Sequence, residues 1–597
     1  MLIARAAIVA ALAAFPLISS ANARGSDRPT SMHSSFGGYL AGRVAHGQHE
    51  TDAAAMFYRS ALEKDPENEI LLEQSQFMDV AEGRIAEALE MSRRLLSLHT
   101  SHRIGGLVLG ADAAKRGQYA EAGESFKLAA VSLVGEVTSA LAVAWTRFAV
   151  GDVDGALSQI DSLKQADWAQ FYLRYHKALI NDLAGRHQEA GRLYERTFRG
   201  EQRLVRLTLA YAQHAMARGD RKLARSIVSD HARRATGTLH PYITALSDSI
   251  NAGADVPLLV SNPTEGLSEV FLGLGEALTS KGGGIGLGTV YLQLALHLEP
   301  KSPFALAALA TVYETTKRYE SAISAYDRIP AGTPIQMSIE VRKALLLNQL
   351  DRLDDAKMLL ERIASRSTTD IRALDALGNI MQARKRYDEA IGYYDRVIER
   401  IETPAKQHWS LFFARGTSYE RIKNWPKAEA DLQRALRLSP DQASVLNYLG
   451  YSWVDQDKNL RQGMEHIRKA VRLRPDDGHI VDSLGWAHYR LGNYKEAVRY
   501  LERAVEIMPY DPILNDHLGD AYWRAGRRRE ARFQWYQALT LNPEADEAKK
   551  IQAKVASGLP IRAQARVVKR TNQEARREAL RKKRTDNQVS PGSPQLR

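Results

Sequence analysis

Near the C-terminal end of this chain, aromatic, arginine and aspartate side chains gather in one stretch: Tyr448, Tyr451, Asp482, Trp486, Tyr489, Arg490, Asp516, His517, Asp520, Trp523 and Arg524. These types suit one kind of chemistry. Flat rings supply apolar area with little rotamer entropy to lose, and arginine and aspartate supply directional hydrogen bonds. The mixture fits non-covalent recognition of another protein. Patterns for covalent or metal chemistry are missing. His187-Gln188-Glu189 opens no H-E-x-x-H motif, no G-x-S-x-G elbow occurs, and no two of the sixteen scattered histidines stand four residues apart. The run from Gly282 to Gly288 is glycine-rich like a phosphate loop. It lacks the Lys-Ser/Thr ending and follows a helix where a strand would be needed, so it reads as an inter-helix turn. With no cysteine in the chain, disulfides, thiolate metal sites and cysteine nucleophiles are excluded. The expectation is a binding protein with no catalytic residues, no metal and no cofactor, rather than an enzyme.

The elements that must hold these residues are legible from two lines of small residues. The first runs through Ala54, Ala88, Ala122, Ala156, Ala190 and Ala224, then Gly288, Ala322, Ala356 and Ala390, then Ala428, Gly463, Ala497 and Ala531, mostly in steps of 34. Twelve residues earlier lies the second, which includes Gly42, Gly110, Gly378, Gly450, Gly485 and Gly519 and fails only at Gln76 and Glu276. A fixed period of this length means stacked supersecondary units and not one globular core. Apolar residues at helical spacing give each helix one buried stripe, and the recurring small residues let paired helices touch. Turn glycines follow at Gly492 and Gly526, and Pro509 and Pro543 close their units because proline cannot continue a helix.

This pattern is that of the tetratricopeptide repeat, a helix–turn–helix of 34 residues. It predicts an all-α, right-handed superhelical solenoid of about fourteen repeats. An N-terminal arm spans 36–235, a broken repeat or linker 236–265 (with Pro257, Asn262 and Pro263), and a C-terminal arm 266–547. In such a solenoid the first helix of each repeat lines the inner face. Trp453 and Trp535 stand where the pattern wants a large core residue. Trp486 and Trp523 lie beside the glycine line on the groove side, with packing between adjacent repeats as the alternative. Acids at the groove positions Asp482 and Asp516 predict repulsion of a terminal carboxylate.

Outside the repeats, residues 1–23 read as a signal peptide: Arg5, an apolar run from Ala6 to Ile18, and Ala21-Asn22-Ala23 with cleavage between Ala23 and Arg24. The run is short for a membrane span, and no cysteine is available for lipid attachment. A secreted repeat protein without disulfides points to a Gram-negative periplasm. The tail at 561–597 holds eleven Lys/Arg against three acids, so it carries +8 of the net +12. It reads as a solvated, disordered segment or a membrane-surface contact, and secretion argues against nucleic acid.

The runs Asn447-Tyr448-Leu449-Gly450-Tyr451-Ser452-Trp453, Asp482-Ser483-Leu484-Gly485-Trp486 and Asn515-Asp516-His517-Leu518-Gly519-Asp520-Ala521-Tyr522-Trp523-Arg524 resemble those of bacterial envelope tetratricopeptide proteins. The likeness covers roughly 265–547. One such relative is an outer-membrane lipoprotein adaptor that presents peptidoglycan hydrolases to a carboxyl-terminal processing protease. The resemblance implies a periplasmic adaptor for a protease and its envelope substrates. This chain departs from that adaptor in its missing lipid-bearing cysteine and its basic tail. The other reading is a scaffold for an envelope assembly, such as a polysaccharide export or cell-division complex.

Overall fold

The computed structural model describes residues 34–560 apart from 164–166, 202–203, 236–238 and 281–283. The signal-peptide reading with its Ala23–Arg24 junction, the basic tail and part of the glycine turn therefore lie outside the described residues. Among those described there are thirty α-helices and no strand. No described helix is long and apolar enough to cross a membrane.

Two compact units divide between Leu350 and Asp351. The first contains α1 (Ser35–Gly47), α2 (Thr51–Lys64), α3 (Glu69–Ala81), α4 (Ile85–Leu98), α5 (Arg103–Lys115), α6 (Tyr119–Lys127), α7 (Leu133–Ala149), α8 (Val153–Asp161), α9 (Gln170–Leu183), α10 (His187–Gly200), α11 (Val205–Ala217), α12 (Arg221–Arg234), α13 (Pro241–Ala252), α14 (Pro263–Ser280), α15 (Ile285–Leu298), α16 (Pro303–Thr315), α17 (Tyr319–Asp327) and α18 (Gln336–Gln349). The second contains α19 (Leu353–Arg366), α20 (Arg372–Ala383), α21 (Tyr387–Glu399), α22 (Trp409–Arg421), α23 (Trp425–Leu438), α24 (Ala443–Asp455), α25 (Leu460–Leu473), α26 (Gly478–Arg490), α27 (Tyr494–Ile507), α28 (Pro512–Arg524), α29 (Arg528–Thr540) and α30 (Ala545–Ser557). Helices pair in sequence order as the period demands.

The small-residue lines mark where paired helices cross. Every alanine of the first line has no solvent-exposed surface. On the second line several glycines make room for a large residue sixteen positions on. A Cβ added at Gly42, Gly110, Gly378 or Gly519 would lie within 2.6 Å of the ring of Tyr58, Phe126, Tyr394 or Trp535, too close for any real contact. The two breaks have different causes. Gln76 is buried and donates from Nε2 to Ser92 at 2.7 Å, so large and small have traded sides within that hairpin. At the second break Gly275 takes the packing place, where an added Cβ would lie 3.1 Å from Leu292, and Glu276 is turned away.

The first unit departs from the expected domains. Residues 239–262 hold α13 followed by chain in no regular element. The hairpin after it, however, does not begin a separate arm. Helix α14 packs on α7 and α9, and α15 packs on α3 and α5. These are first helices, so the hairpin covers the face expected to be free for a partner. One continuous apolar core runs through both, with Phe271 and Tyr291 fully buried. Polar contacts seat the hairpin: Tyr291 with Thr138 at 2.8 Å, Tyr119 with Thr264 at 2.8 Å, and Gln293 Nε2 donating to the Ala81 carbonyl at 3.1 Å. Gly266 lies on the Trp145 ring so closely that an added Cβ would sit 2.4 Å from it. The expected boundary at 236–265 therefore moves to Leu350, because 263–298 is bound into the N-terminal repeats by this shared core. The C-terminal repeats also run past the expected limit of 547, through α30.

Candidate partner-binding groove

The sequence-selected residues lie on α24, α26 and α28, the first helices of three consecutive repeats in the second unit. Aspartate side chains start the latter two helices. Asp477 accepts from the Ile480 amide at 3.2 Å, and Asp511 from Ile513 and Leu514 at 2.8 and 3.1 Å, each satisfying amides that a helix start leaves open. Each helix then ends at a left-handed glycine, Gly492 (φ 78°) or Gly526 (φ 86°), a conformation that costs other residues more. α24 packs beside α26, and α26 beside α28, so residues one period apart meet.

Those meetings organise the site. Asp482, buried, accepts from His517 Nδ1 at 3.0 Å. Trp486, partly buried, stacks between Tyr489 (4.6 Å, 16°) and His517 (4.1 Å, 21°). The Trp486 indole N–H is buried and makes no hydrogen bond among the described residues. Arg490 reaches back to the side chain and, at 2.9 Å, the carbonyl of Asp455. Tyr448 donates to Glu420 at 2.9 Å and meets the edge of Phe413. Burial, reinforced by Asp455 and Asp482, pushes the Tyr451 hydroxyl up to about 12. Burial likewise raises Tyr489, whereas the Arg524 Nε is buried without a partner.

Asp516 and Asp520 are buried, and their shared partner is a residue that inspection of the sequence missed. Lys554, on α30, donates to Asp516 at 2.7 Å and to Asp520 at 3.0 Å. The clue was present, since Lys554 lies 34 residues after Asp520, one period on. Burial pushes the Asp520 carboxyl up, with Asp516 adding to the rise and Lys554 opposing it. Asp520 also accepts from the buried Trp535 indole at 2.9 Å. Lys554 thus offsets part of this negative charge from within, and the expected repulsion of a carboxylate is weakened accordingly. Trp453 and Trp535 are core residues, at 1% and 0% exposure. Trp523 is shared: its ring meets Trp535 at 5.4 Å, and Gly558 presses on its other edge. So Trp523 packs inside its own repeat and against the chain after α30, Trp486 joins two repeats, and both rings stay partly buried.

In the first unit the histidines are less scattered in space than along the chain. Asp182 Oδ1 lies 3.0 Å from His187 Nδ1 and 2.8 Å from His214 Nδ1, and the three residues could together hold a metal ion. Their hydrogen bonds already satisfy one another, although Asp182 Oδ2 is left buried and unpaired.

Tetratricopeptide repeat family models match the chain at residues 482–511 and at 368–443 and 413–478. Human protein O-mannosyl-transferase TMTC1 is 26% identical over 159 residues, 27% of this chain and 18% of that protein, so the chain spans under a fifth of this relative's length. Among solved structures, the APC/C hetero-tetramer Cut9–Hcn1 is similar at 12% identity and a TM-score of 0.35, over 89% of this chain and 97% of that one. A tetratricopeptide repeat protein from Parabacteroides merdae is similar at 13% identity and a TM-score of 0.35, over 42% of this chain and 98% of that one. The repeats matched between 368 and 511 coincide with the helix pairs from α20 to α27 in the second unit, so this all-α chain carries tetratricopeptide repeats, units of a kind that serve protein–protein interaction.

Proposed function

We propose that the chain is a periplasmic adaptor, without catalytic activity of its own, that holds a partner protein on the first-helix face of its second unit. The partners we favour are a processing protease and its cell-envelope substrates. The observation that carries the reading is Trp486. Its ring is held on both faces by Tyr489 and His517, so little order remains to be lost on binding, and it stands among fixed charges. In the first unit the equivalent face is covered by α14 and α15, which leaves the second unit as the open surface. The signal-peptide reading and the resemblance to envelope proteins support the compartment and the partner class. Tethering a substrate beside its protease would raise the encounter rate through effective concentration, with no new chemistry.

The test is affinity capture from periplasm with the wild-type chain and Trp486→Ala. The expected result is a protease among the partners of the wild type, lost in the variant while its circular dichroism stays unchanged. Capture of export or division subunits without a protease would replace the adaptor with the scaffold reading. Undiminished capture by Trp486→Ala would remove the groove assignment.

A further inference from the structure

Within the first unit, α9, α11 and α14 border an open cavity of about 630 Å³, inside the roughly 300–1,000 Å³ range of ligand sites. One wall is aromatic. Phe171 stacks on Tyr175 (5.7 Å, 12°) and meets Tyr172 edge-on at 5.1 Å, and Trp168, 46% exposed, forms the rim beside Tyr172. Across from them stands Phe304, with the Arg206 guanidinium 4.5 Å over its ring. The lining therefore already accommodates one cation on an aromatic face.

The charges in the cavity do not balance. Arg206 donates from Nε to the buried Glu269 at 2.7 Å, and Tyr175 donates to the same oxygen at 3.0 Å. That acid and that base are spent on each other. Glu201 and Glu276 also line the cavity, and neither carboxylate has a hydrogen bond or ion pair among the described residues. Glu276 is reached by water yet ringed by protein, and burial pushes its carboxyl up despite the opposing pull of Arg206. The imidazoles here add no positive charge at neutral pH. Burial lowers His240, and brings His176 down to about 3. What remains is a lining rich in free acceptors, with excess negative charge beside flat rings. A sugar would need donors and acceptors alike, and an anion would be repelled. Lysine and arginine, which carry donors only, fit both counts. Glu276 is there because of the register change in α14: Gly275 fills the packing position, and the next residue faces the cavity.

We infer that this cavity binds an arginine or lysine side chain of a basic peptide, with its alkyl stem along Trp168, Phe171 and Tyr172 and its charged head at Glu276. The site is in the first unit and is independent of the groove on the second. It rests on the general protein-interaction role and not on the adaptor reading.

The test is calorimetric titration of the full chain with two blocked tripeptides, Ala-Arg-Ala and its citrulline analogue, which keeps the shape of arginine without its charge. The arginine peptide should bind about tenfold or more tighter than the citrulline peptide. Glu276→Gln should weaken arginine binding by about the same factor with its circular dichroism unchanged. Trp168→Ala should abolish the accompanying fluorescence change, and Trp486→Ala should bind the peptide as the wild type does. Equal binding of the two peptides would overturn the inference, as would undiminished binding by Glu276→Gln, no binding at millimolar peptide, or binding of an N-acetylglucosamine disaccharide in place of the peptide.

Discussion

At His517 two opposing effects meet. Burial alone would lower the imidazole, but the charge and hydrogen bond of Asp482, aided by Asp516 and Asp520, carry it above its ordinary 6.5. A group whose folded pKa is raised adds stability that is fully present below about 6.5 and is lost as pH rises through the raised value. The second unit should therefore lose stability between mildly acid and mildly alkaline pH. His517→Gln should remove that slope, because glutamine keeps a donor for Asp482 but does not titrate. Denaturation midpoints of wild type and variant at about pH 6 and about pH 9 check this, and parallel changes in the two proteins would refute it. The residue types at this site were readable in advance, and their partners were not. Asp482 and His517 were each singled out, but their pairing depends on the lateral contact of α26 and α28. Lys554 was missed because the repeat count stopped one helix early.

At the scale of the helix hairpin, the position most exposed to change is Gly266. Its Cα approaches Trp145 so closely that any side chain must push the ring or lift α14. Gly266→Leu should cost about 1–3 kcal/mol, as overpacking of a filled core does. It should also raise hydrogen exchange in α14, where Tyr175–Glu269 and Tyr119–Thr264 seat the helix. Unchanged exchange in α14, with an unchanged urea midpoint, would show that the hairpin is not locked there. The small-residue lines located hairpin crossings well, because a crossing recurs at fixed spacing and leaves a periodic trace. They were silent on the docking of this hairpin. Gln293 meets the Ala81 carbonyl across 212 residues, once only, and a contact made once leaves no period. The failure of the line at Glu276 was the one local sign, and it marked a change of register whose direction only the packing of Gly275 on Leu292 reveals.

For the molecule as a whole, the consequence is that six repeats do not make an independent arm. Repeat arrays gain stability from each neighbour, so a fragment of residues 34–235 would keep its stacked pairs. It would lose the hairpin that covers them. Phe126, whose ring lies 6.1 Å from Phe271, and Trp145, under Gly266, would be partly uncovered, and Arg206 and Tyr175 would lose Glu269. Fully burying one large apolar side chain is worth about 1.5–3 kcal/mol, against a total stability of about 5–15 kcal/mol for a typical domain. Uncovering even part of several such groups is therefore a large change. A fragment of residues 34–350, which retains α13 to α18, should unfold cooperatively and bind little of an apolar dye. The fragment of residues 34–235 should melt at lower temperature and bind the dye strongly, since the inner face of its first helices is apolar and bare. Equal melting and equal dye binding by the two fragments would mean that α14 and α15 lie on a face already complete without them, and the unit boundary would return to 236–265.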